Sequence, residues 1–177
     1  MKSLLTRIFF GLILLSSLTI PSRILAQATI NADELKAQMI KDWERAKAYT
    51  LSYLNVMPAD KYSFKATDSI RSFAQQMLHL AQANVNFLFI ATGEPKIFPG
   101  ENLEASAGAQ TRDSVLYYVT KSYDYAIDAI KKLDASKLGE PSEPGPNQLT
   151  RITWINKAFE HQTHHRGQTT IYIRLAG

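Results

Sequence analysis

Four stretches of this 177-residue chain repeat apolar residues every third or fourth position. That period places them on one face of a helix and leaves the rest of the surface polar. The first stretch runs from about Asp33 to Asn55, with Leu35, Met39, Trp43, Ala46, Thr50 and Tyr53 in one stripe. Met57-Pro58 closes it, because proline disfavours a helical residue before it. The second opens at Ser72, where Ser72 and Gln75 have the spacing of a capping box. Its stripe is Phe73, Met77, Leu80, Phe87 and Leu88, and Gly93 stands where a C-cap glycine is expected. The third runs from about Arg112 to Leu133, with Leu116, Val119, Tyr123, Ile127 and Ile130 inward. Asp113 in its first turn and Lys131-Lys132 in its last suit the helix dipole. The fourth runs from near Thr150 to about Leu175, after the breaker-rich DASKLGEPSEPGPN. No strand pattern or internal repeat competes with these four. The expected fold is all-α, a four-helix bundle.

The first 28 residues read differently. Lys2 and Arg7 precede a thirteen-residue apolar run, Ile8 to Ile20, followed by Pro21. Ala26-Gln27-Ala28 has the small-x-small pattern of a cleavage site, so residues 1–28 are expected to be a secretory signal, cut after Ala26 or Ala28. The run is shorter than the ~20 residues a spanning helix needs. The expectation is export to a periplasmic or extracellular compartment, with no stable membrane insertion after cleavage. Residues 29–177 then form a single domain.

Charge follows from that division. The formal net charge of +4 includes Lys2, Arg7 and Arg23, so the remainder carries 17 basic against 16 acidic residues. A balance this even gives no sign of a nucleic-acid surface, which shows a clustered basic face, and no nucleic-acid partner is expected. The chain has no cysteine, which removes disulfides, lipid-modified cysteine and thiolate ligands together. Any metal here is held by nitrogen and oxygen.

Three of the four histidines fall within EHQTHHRGQ on the last helix. His161 and His165 are four apart, one turn above each other on the stripe that also carries Trp154, Ala158 and Tyr172. Two imidazoles so placed can bind one ion. His164 is turned about 100° away and is expected to stand aside. His79, on the flank of the second stripe, is either a core histidine bonded to a carbonyl or a third ligand brought in by helix packing. Three neutral imidazoles would leave positions open, as catalytic sites do. The metalloprotease pattern H-E-x-x-H is excluded, because Gln162 occupies the place of the general-base glutamate. Glu160 and His164 are candidate bases by proximity alone.

HQTHHRGQ with the trailing IYIRLAG, the histidine in SFAQQMLHLAQAN and the preceding MPADKYSFKATDSIRSF together resemble the DinB superfamily, which is distinct from the DNA polymerase of that name. The resemblance extends from about Ala32 to Gly177. It implies an up-down-down-up bundle with long crossovers and one divalent metal ion, zinc, nickel or similar, held by His79, His161 and His165. Imidazole suits several such ions. Arg166 and Gln168 complete the motif; Gln168 is a candidate polar group behind the ligands, and Arg166 a solvated or helix-pairing charge. Gly167 is expected to allow close helix contact, at ~1 kcal/mol relative to alanine. Some relatives are thiol-dependent transferases or isomerases, but cytosolic thiols are scarce outside the cell. The functional expectation is a metal-dependent enzyme, hydrolase or thiol-transferase-like, acting on a small molecule in a pocket walled by aromatics such as Trp43 and Tyr172. The alternatives are a metal- or ligand-binding module without turnover, and a structural protein whose histidines are packed. A homodimer is compatible with the bundle.

Overall fold

The computed structural model describes residues 31–143 and 148–177. The expected signal and its cleavage positions lie outside the described residues, as does part of the linker before the last helix. Among the described residues there are four long helices: α1 (Ala32–Val56), α2 (Phe73–Thr92), α3 (Arg112–Lys132) and α4 (Arg151–Ala176). None of them is long and apolar enough to cross a membrane.

The helix ends follow local chemistry. The Asn31 side chain accepts from the backbone N–H groups of Asp33 and Glu34 at the start of α1. Ser72 and Gln75 form a complete capping box on α2, and Gly93 ends that helix at φ 80°, in the left-handed region that glycine adopts without strain. Thr111 and Thr150 cap α3 and α4 by accepting from Ser114 N and Thr153 N. Each cap satisfies donors that the first turn leaves free.

Side-chain bonds fix the direction of each helix. Lys47 meets Asp124 and Thr50 meets Tyr123, while Lys36 near the start of α1 reaches the carbonyl of Leu133 just beyond α3, so α1 and α3 are antiparallel. Asn84 meets Ser122 and Glu94 meets Lys132, which makes α2 and α3 parallel. Gln76 pairs with Gln168 and Arg151 with the carbonyl of Ala91, so α4 runs against α2. The order is up-down-down-up, with neighbours α1–α3–α2–α4 around the bundle. Each parallel or diagonal step needs a crossover, which is why residues 57–71 and 93–111 are long. The first crossover is anchored by Tyr62, which is buried and donates to the Leu54 carbonyl at 2.8 Å.

The stripes read from sequence form the core, with small rotations. Leu54 rather than Tyr53, and Val115 rather than Leu116, is the fully buried member. A continuous polar chain crosses the interior. Tyr123 Oη contacts Thr50 Oγ1 at 2.8 Å and donates to Gln162 Oε1 at 2.7 Å. Arg166 donates to the same Gln162 oxygen at 2.9 Å and to the Ala46 carbonyl at 3.3 Å. Buried amides and hydroxyls are tolerated because they are paired in this way. Arg166 is therefore the helix-pairing charge, tying α4 to α1.

Gly167 departs from expectation. It is exposed, and a Cβ built on it meets nothing within 4 Å, so it does not serve close helix packing. Its cost is then purely one of backbone entropy. Gly167→Ala should raise stability by about 0.5–1 kcal/mol, measured as an upward shift of the urea unfolding midpoint. A lower midpoint would show that the glycine makes a contact after all.

Candidate metal centre

The antiparallel contact of α2 with α4 brings His79 against the face that carries His161 and His165. Ring centroids lie 5.1 Å apart for His79 and His161, 4.5 Å for His79 and His165, and 4.2 Å for His161 and His165. One ring nitrogen from each of the three lies within 4.8 Å of one from each of the others. Among the described residues this is the one cluster of three or more such side chains with ligand spacing.

The environment suits ligation. Nδ1 of His161 and Nδ1 of His165 are buried and have no hydrogen-bond partner. An orphaned buried nitrogen costs ~1–3 kcal/mol unless something accepts its lone pair or proton. Burial pushes the His161 imidazole down to about 4 and His165 to about 3, with the neighbouring histidines adding to the shift. Both rings are neutral at pH 7, the form that offers a lone pair to a cation. The residues present therefore fit a divalent ion.

His79 differs from the other two because its Nδ1 is 2.5 Å from Glu104 Oε1. The other Glu104 oxygen accepts from Arg71 Nε at 2.5 Å. Partial burial pushes the Glu104 carboxyl up, but the hydrogen bonds and charges of Arg71 and His79 outweigh it and hold the group below its usual value. Neither Glu104 nor Arg71 is a candidate from sequence. Glu104 lies in a crossover without periodicity, and nothing in its spacing points to α2.

The remaining motif residues arrange themselves around the cluster. His164 is exposed, outside the triad, with Nε2 2.9 Å from Gln168 Nε2. Gln168 in turn accepts from Gln76 on α2, and it touches none of the three clustered histidines by hydrogen bond. Gln162 faces away into the buried network and has no proton-accepting role. Trp43 is core, edge-on to Tyr123 and Phe159, and lines no cavity beside the cluster. Two other aromatics, Phe87 and Trp154, stand beside His161. With Leu149, Lys157, Glu160, His161 and His164 they line a cavity of about 440 Å³. A second cavity of about 690 Å³ lies on the Glu104 side and includes Arg71, Gln76, Gln168 and Tyr172.

The DinB family matches residues 29–177, and the chain belongs to that family. No curated protein matches it. Among solved structures, it is similar to a DinB-like protein from Bacillus cereus ATCC 10987, with TM-score 0.67 and 18% identity over 78% of this chain and 91% of the other. It is also similar to a conserved protein from Enterococcus faecalis, with TM-score 0.64 and 13% identity over 80% and 96% of the two chains. At these identities the likeness is one of fold.

The depressed imidazoles make a signed prediction for the metal-free protein. Unfolded histidines take up protons near pH 6.5, whereas His161 and His165 in the fold wait until about 4 and about 3. Between those limits the unfolded chain binds more protons, so stability rises with pH. The contribution is complete above about pH 6.5–7 and is lost as pH falls through the folded values. Urea midpoints measured from pH 7 to pH 4 should fall, and a His161→Asn, His165→Asn double variant should flatten that fall. An identical slope in the double variant would contradict it.

Proposed function

We propose that this protein binds one divalent transition-metal ion through His79, His161 and His165 and uses it in a reaction on a small molecule. The observation that carries this reading is the convergence of three imidazoles from two helices, two of them with buried, unpartnered nitrogens. Three neutral ligands leave coordination positions open, and an ion so held supplies Lewis acidity toward a substrate oxygen and acidifies a bound water or thiol. Phe87 and Trp154, with ring centroids 5.9 Å apart, give the adjoining cavity an apolar wall. Lys157 puts a cation at its rim, and Glu160 and His164 put two proton-exchanging groups there. These features favour a compact substrate with an apolar portion.

Hydrolysis of a small ester or amide is the reaction class we favour over thiol transfer. Its support is in the sequence: the leader-like residues 1–28 argue for export, away from cytosolic thiols. A closed or fully ligated site without turnover is the competing reading, and assay separates the two.

The test is elemental analysis of the chain from Thr29, purified without a histidine tag, beside His161→Ala. The parent should carry close to one divalent ion per chain and the variant should lose it. Metal-dependent cleavage of model esters or amides should follow the same pattern. No ion in the parent after reconstitution with zinc, nickel or manganese would overturn the reading, and an ion without turnover of esters, amides or thiols would favour the non-catalytic module.

A further inference from the structure

We propose that Glu104 is a positioning residue for the metal centre: its carboxylate holds His79 in the Nδ1–H tautomer, so that Nε2 is the nitrogen presented to the ion. The proposal rests on the metal-binding reading above.

The geometry supports a built arrangement rather than a chance surface contact. Gln75, His79 and Gln82 lie at i, i+4 and i+7 on α2, so they share one face, and all three bond to the crossover segment 101–104. Gln82 Nε2 donates to the Glu101 carbonyl at 2.5 Å, and Gln82 Oε1 accepts from Leu103 N at 3.3 Å. Gln75 Nε2 reaches the Glu104 carbonyl at 3.5 Å, and Gln110 Nε2 donates to that same oxygen at 2.9 Å. Leu103 is 1% exposed and anchors the segment in the core. The backbone of Glu104 is thus fixed on both sides of its side chain. Arg71 occupies the second carboxylate oxygen, and its own carbonyl accepts from Tyr172 Oη at 2.7 Å. Since α4 carries Tyr172 as well as two of the histidines, the clamp is tied to both helices of the site.

A carboxylate oxygen accepts and does not donate, so a neutral His79 bonded to it through Nδ1 must carry its proton there. A neutral imidazole in water favours the opposite tautomer, with the proton on Nε2. Without Glu104, His79 would have to change tautomer before ligating through Nε2. A carboxylate behind a ligating histidine also raises the basicity of the ligand and fixes its ring.

Two variants test this: Glu104→Ala, which removes the acceptor, and Glu104→Gln, whose amide oxygen can still accept from Nδ1. Long-range nitrogen–proton NMR of the metal-free protein at pH 8.5 reads the tautomer directly. His79 should be Nδ1–H in the parent and in Glu104→Gln, and predominantly Nε2–H in Glu104→Ala. Zinc titration against a competing chelator should show affinity about 10–100-fold weaker in Glu104→Ala, with Glu104→Gln between it and the parent. An Nε2–H His79 in the parent would overturn the proposal. So would a Glu104→Ala protein that keeps Nδ1–H and the parent's zinc affinity. A parent that binds no zinc, nickel or manganese would instead overturn the metal reading on which the proposal stands, and that result is distinct from zinc binding that ignores Glu104.

Discussion

The antiparallel contact between α2 and α4 is the constraint on which the rest of the site depends. An i,i+4 histidine pair on one helix supplies two ligands and no more, because the next residues turn away. The third must come from a neighbouring helix at the same height. Pairing of Gln76 with Gln168 at one end and of Arg151 with the Ala91 carbonyl at the other fixes that register. His79 then falls level with His161 and His165. The up-down-down-up order makes α2 and α4 neighbours, and the long crossovers are the consequence of that order.

Two kinds of polar burial coexist here, and their contrast is informative. The Thr50–Tyr123–Gln162–Arg166 chain closes on itself, leaving the Gln162 amide bonded at both its oxygen and its nitrogen. Its members rigidify the interior. On the same helix, directly beside Gln162 and Arg166, the buried Nδ1 atoms of His161 and His165 have no such partners. A buried nitrogen without a partner is a cost that a bound ligand meeting it would offset.

Much of this was legible in the sequence, for a physical reason: helix period, caps and i,i+4 spacing are local properties. They fix α1 to α4 within a residue or two at most ends, the capping box at Ser72, Gly93 as the C-cap, and the shared face of His161 and His165. What was not legible is set by contacts between distant segments. Glu104 sits in an aperiodic crossover, and only the fold brings it 25 residues back to His79. Of the two aromatics expected at the pocket, Tyr172 lines the cavity on the Glu104 side, whereas Trp43 packs into the core against Tyr123 and Phe159. Phe87 and Trp154 line the other cavity, beside His161. Gly167 was assigned to helix contact on its residue type, whereas its side of α4 faces solvent. Spacing gives the face of a helix and says nothing of which neighbour, if any, covers it.

The measurement closest to the central claim is X-ray absorption at the zinc edge of the reconstituted protein, which counts the ligands directly. A site built from His79, His161 and His165 should give three imidazole nitrogens at ~2.0–2.1 Å, with the remaining first-shell scatterers light atoms from solvent. A spectrum with one imidazole or none, or a shell dominated by carboxylate oxygen, would contradict it and place any bound ion elsewhere on the surface.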